Sequence, residues 1–228
     1  MKLICLPGLN GTTQLFDPFI ERLPSVIEAT TISYPTDRIL DYAELESLVQ
    51  TTLPADEDYV LLGESFSSPL AVRLAAAQPS MLKGLILVCG FVSNPIPLAA
   101  RLAPTIGLLP TRGWLARTAS RALLGATDPT VQTRLLTAVE SVDSEVLHAR
   151  LRMIVDLDAS GALAAIRVPT LYLRALGDRL VGAAAMAEVA RGLHGLRVES
   201  IAGPHLLLQE RPDESADAVR AFISSLDG

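Results

Sequence analysis

Three side chains that together could perform acyl chemistry each follow a separate predicted strand of this sequence. The first is Ser65, within residues 59–71, which read YVLLGESFSSPLA. This stretch nearly matches the pattern Gly-x-Ser-x-Gly, a sharp strand-to-helix turn that lifts a serine out of a parallel sheet. The match is incomplete because Ser67 stands where the pattern has its second glycine. A serine hydroxyl is a poor nucleophile at neutral pH, so the rest of the chain must supply a base and an acid.

The base and the acid are expected just past two later strands, because functional groups of α/β sheets gather outside the carboxyl ends of the strands. Asp178 follows the predicted strand 170–174, and His205 follows the predicted strand 197–201. Each has a plainer interpretation when taken alone, since aspartates beside glycines often form turns and a histidine before three leucines often packs in a core. Their order along the chain, serine then aspartate then histidine, nevertheless predicts a triad of Ser65, Asp178 and His205.

Other titratable side chains fit this scheme less well. His148 lies in a helical segment, and His194 lies in a loop at the opposite end of the expected sheet. Asp158 precedes the return of the strands and is kept as an alternative acid. Glu64, directly before the serine, is expected to be either a buried hydrogen-bonded carboxylate or a partly solvated neighbour.

Acyl transfer also requires N–H groups that stabilise the oxyanion. The N–H of Phe66 is one candidate, because it begins a helix whose dipole favours negative charge. Leu9 N–H is the other candidate, from the loop of residues 7–12, which contains two glycines that permit close backbone approach. A plain strand-to-helix turn would use the same glycines and proline, and the sequence leaves that alternative open.

Apolar runs and helical periodicities alternate along most of the chain and must position these side chains. Strands are expected at residues 2–6, 26–33, 59–62, 84–89, 170–174 and 197–201. Helices are expected at residues 13–23, 41–53, 68–78, 182–192 and 212–226. Because the strands are unbroken apolar runs, this order predicts an α/β fold with a mainly parallel sheet of about six strands flanked by helices.

The alternation is interrupted between residues 91 and 166, which read as apolar, helical sequence broken by prolines. This interruption predicts an α/β core formed by residues 1–90 and 167–228, with residues 91–166 inserted as a helical cap. An apolar pocket for an acyl group is expected in the cap. Its expected lining residues are Phe91, Leu108, Leu109 and Trp114.

Composition narrows the class of protein. The chain has 228 residues, of which 50% are hydrophobic and 19% charged, with a formal net charge of −6. No lysine- or arginine-rich stripe suggests a nucleic-acid partner, and the arginines between residues 101 and 152, Arg150 included, are expected on solvated helix faces. No secretory signal or bilayer-spanning apolar run is visible, so a cytoplasmic protein is expected. Cys5 and Cys89 are expected to be buried free thiols, and no zinc-ligand spacing is present.

Three segments carry a resemblance to the α/β-hydrolase superfamily, specifically to compact bacterial serine esterases with a helical cap. They are residues 3–12 (LICLPGLNGT), residues 166–181 (IRVPTLYLRALGDRLV) and residues 205–212 (HLLLQERP). The chain also resembles, less specifically, members that cleave the methyl ester of pimeloyl carrier protein in biotin synthesis. The resemblance implies Ser65 as nucleophile, His205 as base and Asp178 as acid, in agreement with the choice made from the residues.

The chain departs from the family pattern at a few positions. Ser67 replaces the elbow glycine, which is expected to be tolerated because serine is small. Pro7 stands where many relatives have histidine, and Pro204 replaces the glycine that often precedes the catalytic histidine. The first hairpin of the family fold is also expected to be missing, which leaves about six strands. A serine nucleophile disfavours dehalogenases and epoxide hydrolases of this architecture, since they use aspartate there.

The sequence therefore predicts a serine hydrolase that cleaves small-molecule carboxylic esters with an apolar acyl group and needs neither metal nor cofactor. One alternative keeps the triad but makes the protein an acyltransferase or a thioesterase, with an acyl carrier protein as partner. Another alternative is a non-catalytic binding protein. That alternative predicts a displaced or unpaired triad, which Ser67 would cause if it pushed the turn out of shape.

Overall fold

A parallel sheet of six strands forms the centre of the molecule. The computed structural model describes residues 1–95, 118, 124–125 and 127–226. The strands are Lys2–Leu6 (β1), Glu28–Thr31 (β2), Tyr59–Glu64 (β3), Leu82–Val88 (β4), Thr170–Ala175 (β5) and Arg197–Ile201 (β6). Their order in the sheet is β2-β1-β3-β4-β5-β6, and every neighbouring pair is parallel. The predicted α/β sheet of about six strands is therefore confirmed.

The strand order reverses direction between β1 and β3, and this places several loops together. The chain moves from β1 outward to β2 and then returns to β3 on the other side of β1. In the register, Leu6 pairs with Gly63 and Glu64 pairs with Val88. The carboxyl ends of β1, β3 and β4 therefore lie side by side at a topological switch point, where α/β sheets form their ligand crevices.

Helices cover both faces of this sheet. They are Asp17–Ile20 (α1), Tyr42–Gln50 (α2), Ser68–Ala76 (α3), Pro129–Glu140 (α4), Ser144–Val155 (α5), Ala183–Gly192 (α6), Leu207–Glu210 (α7) and Pro212–Ser224 (α8). One buried cluster joins the strands to α2, α3 and α6, and a second joins them to α1 and α8. Alternate residues of β1 belong to different clusters, because successive side chains of a strand point to opposite faces.

Two elements near the amino terminus are shorter than predicted. Instead of one helix over residues 13–23, a 3-10 turn at Gln14–Phe16 is followed by the four-residue α1. Pro18 lies in the first turn of α1, where the missing N–H of proline is tolerated, so a new helix starts there. The strand predicted at 26–33 is reduced to β2, which pairs only with β1.

The segment predicted as a helical cap contains helices α4 and α5 and the 3-10 helix Ser160–Ala165 among its described residues. α4 packs beside the loop after β1, in a small buried cluster that contains Leu15, Leu135 and Leu206. Phe91 is buried in the larger core cluster. Leu108, Leu109 and Trp114 lie outside the described residues. No helix in the described ranges is long and apolar enough to cross a membrane.

Candidate active site

The turn after β3 has the conformation that a nucleophilic serine requires. Ser65 follows β3 directly and has φ of 48°, in the left-handed region that non-glycine residues rarely occupy. Gly63 makes the turn possible, because a Cβ there would lie 2.8 Å from Ala71 Cβ and 2.9 Å from the Ser67 carbonyl oxygen. The strand and the following helix α3 therefore approach closely, and Ser65 sits at the apex between them.

Ser67, the residue that departs from the glycine pattern, is fully buried and hydrogen-bonded. Its hydroxyl donates to the Pro7 carbonyl oxygen and lies 2.6 Å from the Tyr34 hydroxyl, which donates to it. A serine therefore fits this position without displacing the turn. Its hydroxyl also links the turn after β3 to the loop after β1, a role that glycine could not perform.

The structure brings Ser65, His205 and Asp178 into one chain of hydrogen bonds. His205 Nε2 lies 2.9 Å from Ser65 Oγ, and His205 Nδ1 lies 2.7 Å from Asp178 Oδ2. In the tautomer that this geometry favours, Nδ1–H donates to the carboxylate and Nε2 accepts from the serine hydroxyl. A proton can therefore move from serine to histidine while the aspartate stabilises the resulting positive charge.

Asp178 is held in its ionised form by the loop after β5. Its second oxygen, Oδ1, accepts hydrogen bonds from the N–H groups of Leu180 at 2.8 Å and Val181 at 2.9 Å. Burial alone would raise the pKa of Asp178. The hydrogen bond and charge of His205, together with the two N–H groups, outweigh burial and hold the pKa of this carboxyl below its usual value.

The two predicted oxyanion donors belong to neighbouring turns. Leu9 is half-buried in the loop after β1, and Phe66 is buried in the 3-10 turn Ser65–Ser67. These loops adjoin because β1 and β3 are paired up to Leu6 and Gly63. The Phe66 ring stacks on the Tyr42 ring with 5.1 Å between their centroids, so the backbone of Phe66 is anchored by packing.

Glu64 is a buried, hydrogen-bonded carboxylate, which is the first of the two interpretations considered from sequence. Its side chain is 5% exposed, and its Oε1 accepts a hydrogen bond of 3.0 Å from Gln209 Nε2. Burial raises the pKa of Glu64, although hydrogen bonds from Gln209 and from Gly8 N–H and the charge of His205 partly oppose it. The carboxyl thus lies beneath the loop after β1 and favours its neutral form more than an exposed glutamate does.

The alternative residues considered from sequence have other roles. Asp158 is exposed and accepts from the N–H and hydroxyl of Ser160 at 2.9 and 2.6 Å, so it stabilises the turn that leads into the adjacent 3-10 helix. His194 is exposed between α6 and β6, at the amino end of β6 and opposite to the triad. His148 lies on α5.

One group of potential metal ligands overlaps the triad. The ligand atoms of Cys89, Asp178 and His205 lie within 4.8 Å of one another. Burial, followed by the charge of Asp178, raises the pKa of the Cys89 thiol well above its usual value, and a protonated thiol is a poor metal ligand. Asp178 and His205 are already paired with each other, so the arrangement favours proton transfer over metal binding. Cys89 and Cys5 are both free and buried, as predicted.

Several residues around the site were not recognised from sequence. Arg150 was expected on a solvated helix face, but it is 3% exposed, and that prediction was wrong. Tyr34 and Gln209, which bond to Ser67 and Glu64, carry no motif of their own. Gln209 lies in α7, just beyond the loop that carries His205, and this closeness along the chain is the signal that could have placed it near the turn after β3.

Comparison with known proteins places this geometry in context. The model of the "Alpha/beta hydrolase family" matches residues 3–218. The biotin biosynthesis bifunctional protein BioHC of Cellvibrio japonicus (strain Ueda107) is 30% identical over 246 residues, and the match covers 99% of this chain. The chain spans 42% of the length of that relative.

Two solved structures share the fold. A lipase-esterase related protein from Clostridium acetobutylicum ATCC 824 superposes with a TM-score of 0.82 at 12% identity, over 97% of this chain and 93% of that one. A thermophilic esterase from Thermogutta terrifontis superposes with a TM-score of 0.80 at 19% identity, over 99% of this chain and 90% of that one. At these identities the likeness concerns the fold alone.

Proposed function

This chain belongs to the alpha/beta hydrolase family, and we propose that it is a serine hydrolase that cleaves carboxylic esters through an acyl-enzyme on Ser65. The observation that carries the proposal is the continuous hydrogen-bonded chain from Ser65 Oγ through His205 to Asp178. This series of hydrogen bonds supplies a nucleophile, a base and an orienting carboxylate at the carboxyl edge of a parallel sheet. Those are the three groups that acyl transfer to water requires.

In the acylation step, Ser65 Oγ attacks the carbonyl carbon of the ester while His205 Nε2 removes the hydroxyl proton. Asp178 stabilises the imidazolium that forms, and the tetrahedral oxyanion accepts hydrogen bonds from Leu9 N–H and Phe66 N–H. Collapse of the intermediate breaks the ester C–O bond, and His205 gives its proton to the departing alkoxide. The products of this half-reaction are an alcohol and an acyl ester on Ser65.

In the deacylation step, His205 takes a proton from a water molecule that attacks the acyl carbon. The same two N–H groups hold the second oxyanion, and the proton on His205 returns to Ser65 as the carboxylic acid departs. The favoured substrate is a small ester with an apolar acyl group, held by the predicted cap residues Phe91, Leu108, Leu109 and Trp114. Of these, Phe91 is packed into the core, so it would support the pocket wall from behind instead of facing the acyl group.

A second candidate is an acyl ester or thioester carried by a carrier protein. The relative whose name includes biotin biosynthesis supports it, together with the resemblance of this sequence to pimeloyl-carrier methyl ester esterases. The same triad would serve either substrate. The non-catalytic alternative is disfavoured, because it predicts a displaced triad whereas Ser65 Oγ lies within hydrogen-bond distance of His205 Nε2.

The test is hydrolysis of p-nitrophenyl acetate, butyrate and octanoate by the wild type, Ser65→Ala and the matched control Ser80→Ala. Ser80 is an exposed serine outside the site, so its replacement should leave the rate unchanged. We expect Ser65→Ala to lose at least roughly 10³-fold in kcat, because the nucleophile is absent. Equal rates in the wild type and Ser65→Ala would remove Ser65 as nucleophile. Labelling of Ser65 by a fluorophosphonate, with no turnover of any ester, would instead indicate a narrower substrate such as the carrier-bound acyl group.

A further inference from the structure

Arg150 is a buried cation that binds backbone instead of a carboxylate. It extends from α5, is 3% exposed, and in the described part of the chain has no carboxylate partner at ion-pair distance. Its Nη1 donates to the carbonyl oxygens of Leu9 at 3.0 Å and Asn10 at 2.8 Å, and its Nη2 donates to the Pro35 carbonyl at 2.8 Å. The guanidinium carbon also lies 5.7 Å from the centroid of the Tyr34 ring.

This arrangement costs free energy that a surface arginine would not cost. Burial lowers the pKa of Arg150 to about 10, so the side chain still carries its charge at neutral pH. A buried charge is strongly destabilising unless polar groups replace its hydration. Three carbonyl dipoles and the face of an aromatic ring supply that compensation here. A charged residue whose burial is this unfavourable is a candidate for a functional role.

The loop after β1 is shaped around this guanidinium. Gly11 has φ of 70°, and a Cβ there would lie 2.5 Å from Arg150 Nη1, so only glycine fits. Gly11 N–H in turn donates to the Gly8 carbonyl at 3.0 Å. Because a trans peptide points its carbonyl and its N–H in opposite directions, this bond fixes the direction of Leu9 N–H. The carbonyl of Leu9 itself is held by Arg150.

We propose that Arg150 is a positioning residue that fixes the loop of residues 7–12 so that Leu9 N–H is aligned with the oxyanion of the reaction. The inference rests on the proposed function, since an oxyanion forms only if Ser65 attacks an ester. Two features support it. Arg150 binds the carbonyl oxygens of both Leu9 and Asn10, and the absence of a side chain at Gly11 leaves room for the guanidinium. A donor aligned with the oxyanion acts in the transition state, so its loss lowers kcat more than it raises KM.

The test compares Arg150→Met, Arg150→Lys and the matched control Arg152→Met, which replaces an exposed arginine of the same helix. Hydrogen exchange of a peptide covering residues 7–16 reports the loop, and p-nitrophenyl butyrate kinetics report the reaction. For Arg150→Met we expect hydrogen exchange to become faster than in the wild type in this loop and to change less elsewhere. We also expect kcat to be at least about tenfold lower than in the wild type, with KM within about threefold of the wild-type value. Arg150→Lys should give an intermediate kcat, because a compact ammonium cannot bridge all three carbonyls. Arg152→Met should change neither readout.

Each outcome bears on a different statement. Unchanged loop exchange in folded Arg150→Met protein overturns the inference, and so does faster exchange with an unchanged kcat. If Arg150→Met does not fold by circular dichroism, the same two criteria are applied to Arg150→Lys. If the wild type neither turns over an ester nor reacts with a fluorophosphonate at Ser65, the proposed function fails, while faster loop exchange in Arg150→Met still supports the positional role of the arginine.

Discussion

Replacing Ser67 with alanine removes a hydroxyl that joins two parts of the site. The Pro7 carbonyl loses its donor and the Tyr34 hydroxyl loses its acceptor, and both groups are buried. Each buried polar group left without a partner costs about 1–3 kcal/mol, so for two groups we expect a loss of about 2–6 kcal/mol in the free energy of unfolding. For a chain of this size, that corresponds to a fall in Tm of about 4–24 °C.

Urea unfolding monitored by circular dichroism measures this loss, with Tyr34→Phe as the matched control. Tyr34→Phe leaves the bond between Ser67 and the Pro7 carbonyl intact, so it should cost only about 1 kcal/mol. In the double variant the effects should not add, because both changes remove the same contact between Ser67 and Tyr34. A free energy of unfolding of Ser67→Ala within about 0.5 kcal/mol of wild type would refute the reasoning, since changes of that size are typical of ordinary surface positions.

Three further predictions concern two carboxylates of the site. Asp178→Asn should lower kcat for p-nitrophenyl butyrate by roughly 10³–10⁴-fold, because an amide does not stabilise the required histidine tautomer; an activity within tenfold of wild type would contradict that role. Folding lowers the pKa of Asp178, so its contribution to stability is present above the ordinary carboxyl pKa and is lost as pH falls through the lowered value. Urea unfolding between pH 2 and 6 should therefore show that Asp178→Asn loses less stability on acidification than the wild type does. Glu64→Gln should act with the opposite sign: folding raises the pKa of Glu64, so the wild type should lose stability as pH rises above the ordinary carboxyl value of about 4.3, and the variant should lack this decline. Parallel stability profiles of the wild type and Glu64→Gln between pH 4 and 8 would show that Glu64 titrates normally.

The order of the elements, and the proximity of Ser65, Asp178 and His205, could be predicted from sequence because both depend on local signals. A helix beginning near residue 41 was predictable, and Asp41 and Glu44 form a capping box there. Arg150 could not be placed in the same way. Helical periodicity treats an arginine as solvated, and only the tertiary approach of α5 to the loops after β1 and β2 supplies the carbonyls that permit its burial.

The hydrogen-bonding role of Ser67 also could not be predicted from the sequence. Its small size predicted tolerance at the elbow, but its two bonds depend on Tyr34 and Pro7, which lie in loops distant along the chain. A motif comparison registers such a residue only as a mismatch. The structure instead shows a fully buried hydroxyl that is hydrogen-bonded to both the Pro7 carbonyl and the Tyr34 hydroxyl.

The hydrogen bond between Ser65 and His205 joins residues that are 140 positions apart, while His205 and Asp178 are 27 positions apart. Ser65 therefore belongs to the early part of the chain, whereas Asp178 and His205 follow the last two strands. During synthesis, which proceeds from the amino terminus, the first four strands emerge before the residues proposed as acid and base. Under the proposed mechanism, a nascent or truncated chain that lacks β6 and the loop after it does not react with esters, so reactivity requires the complete sheet.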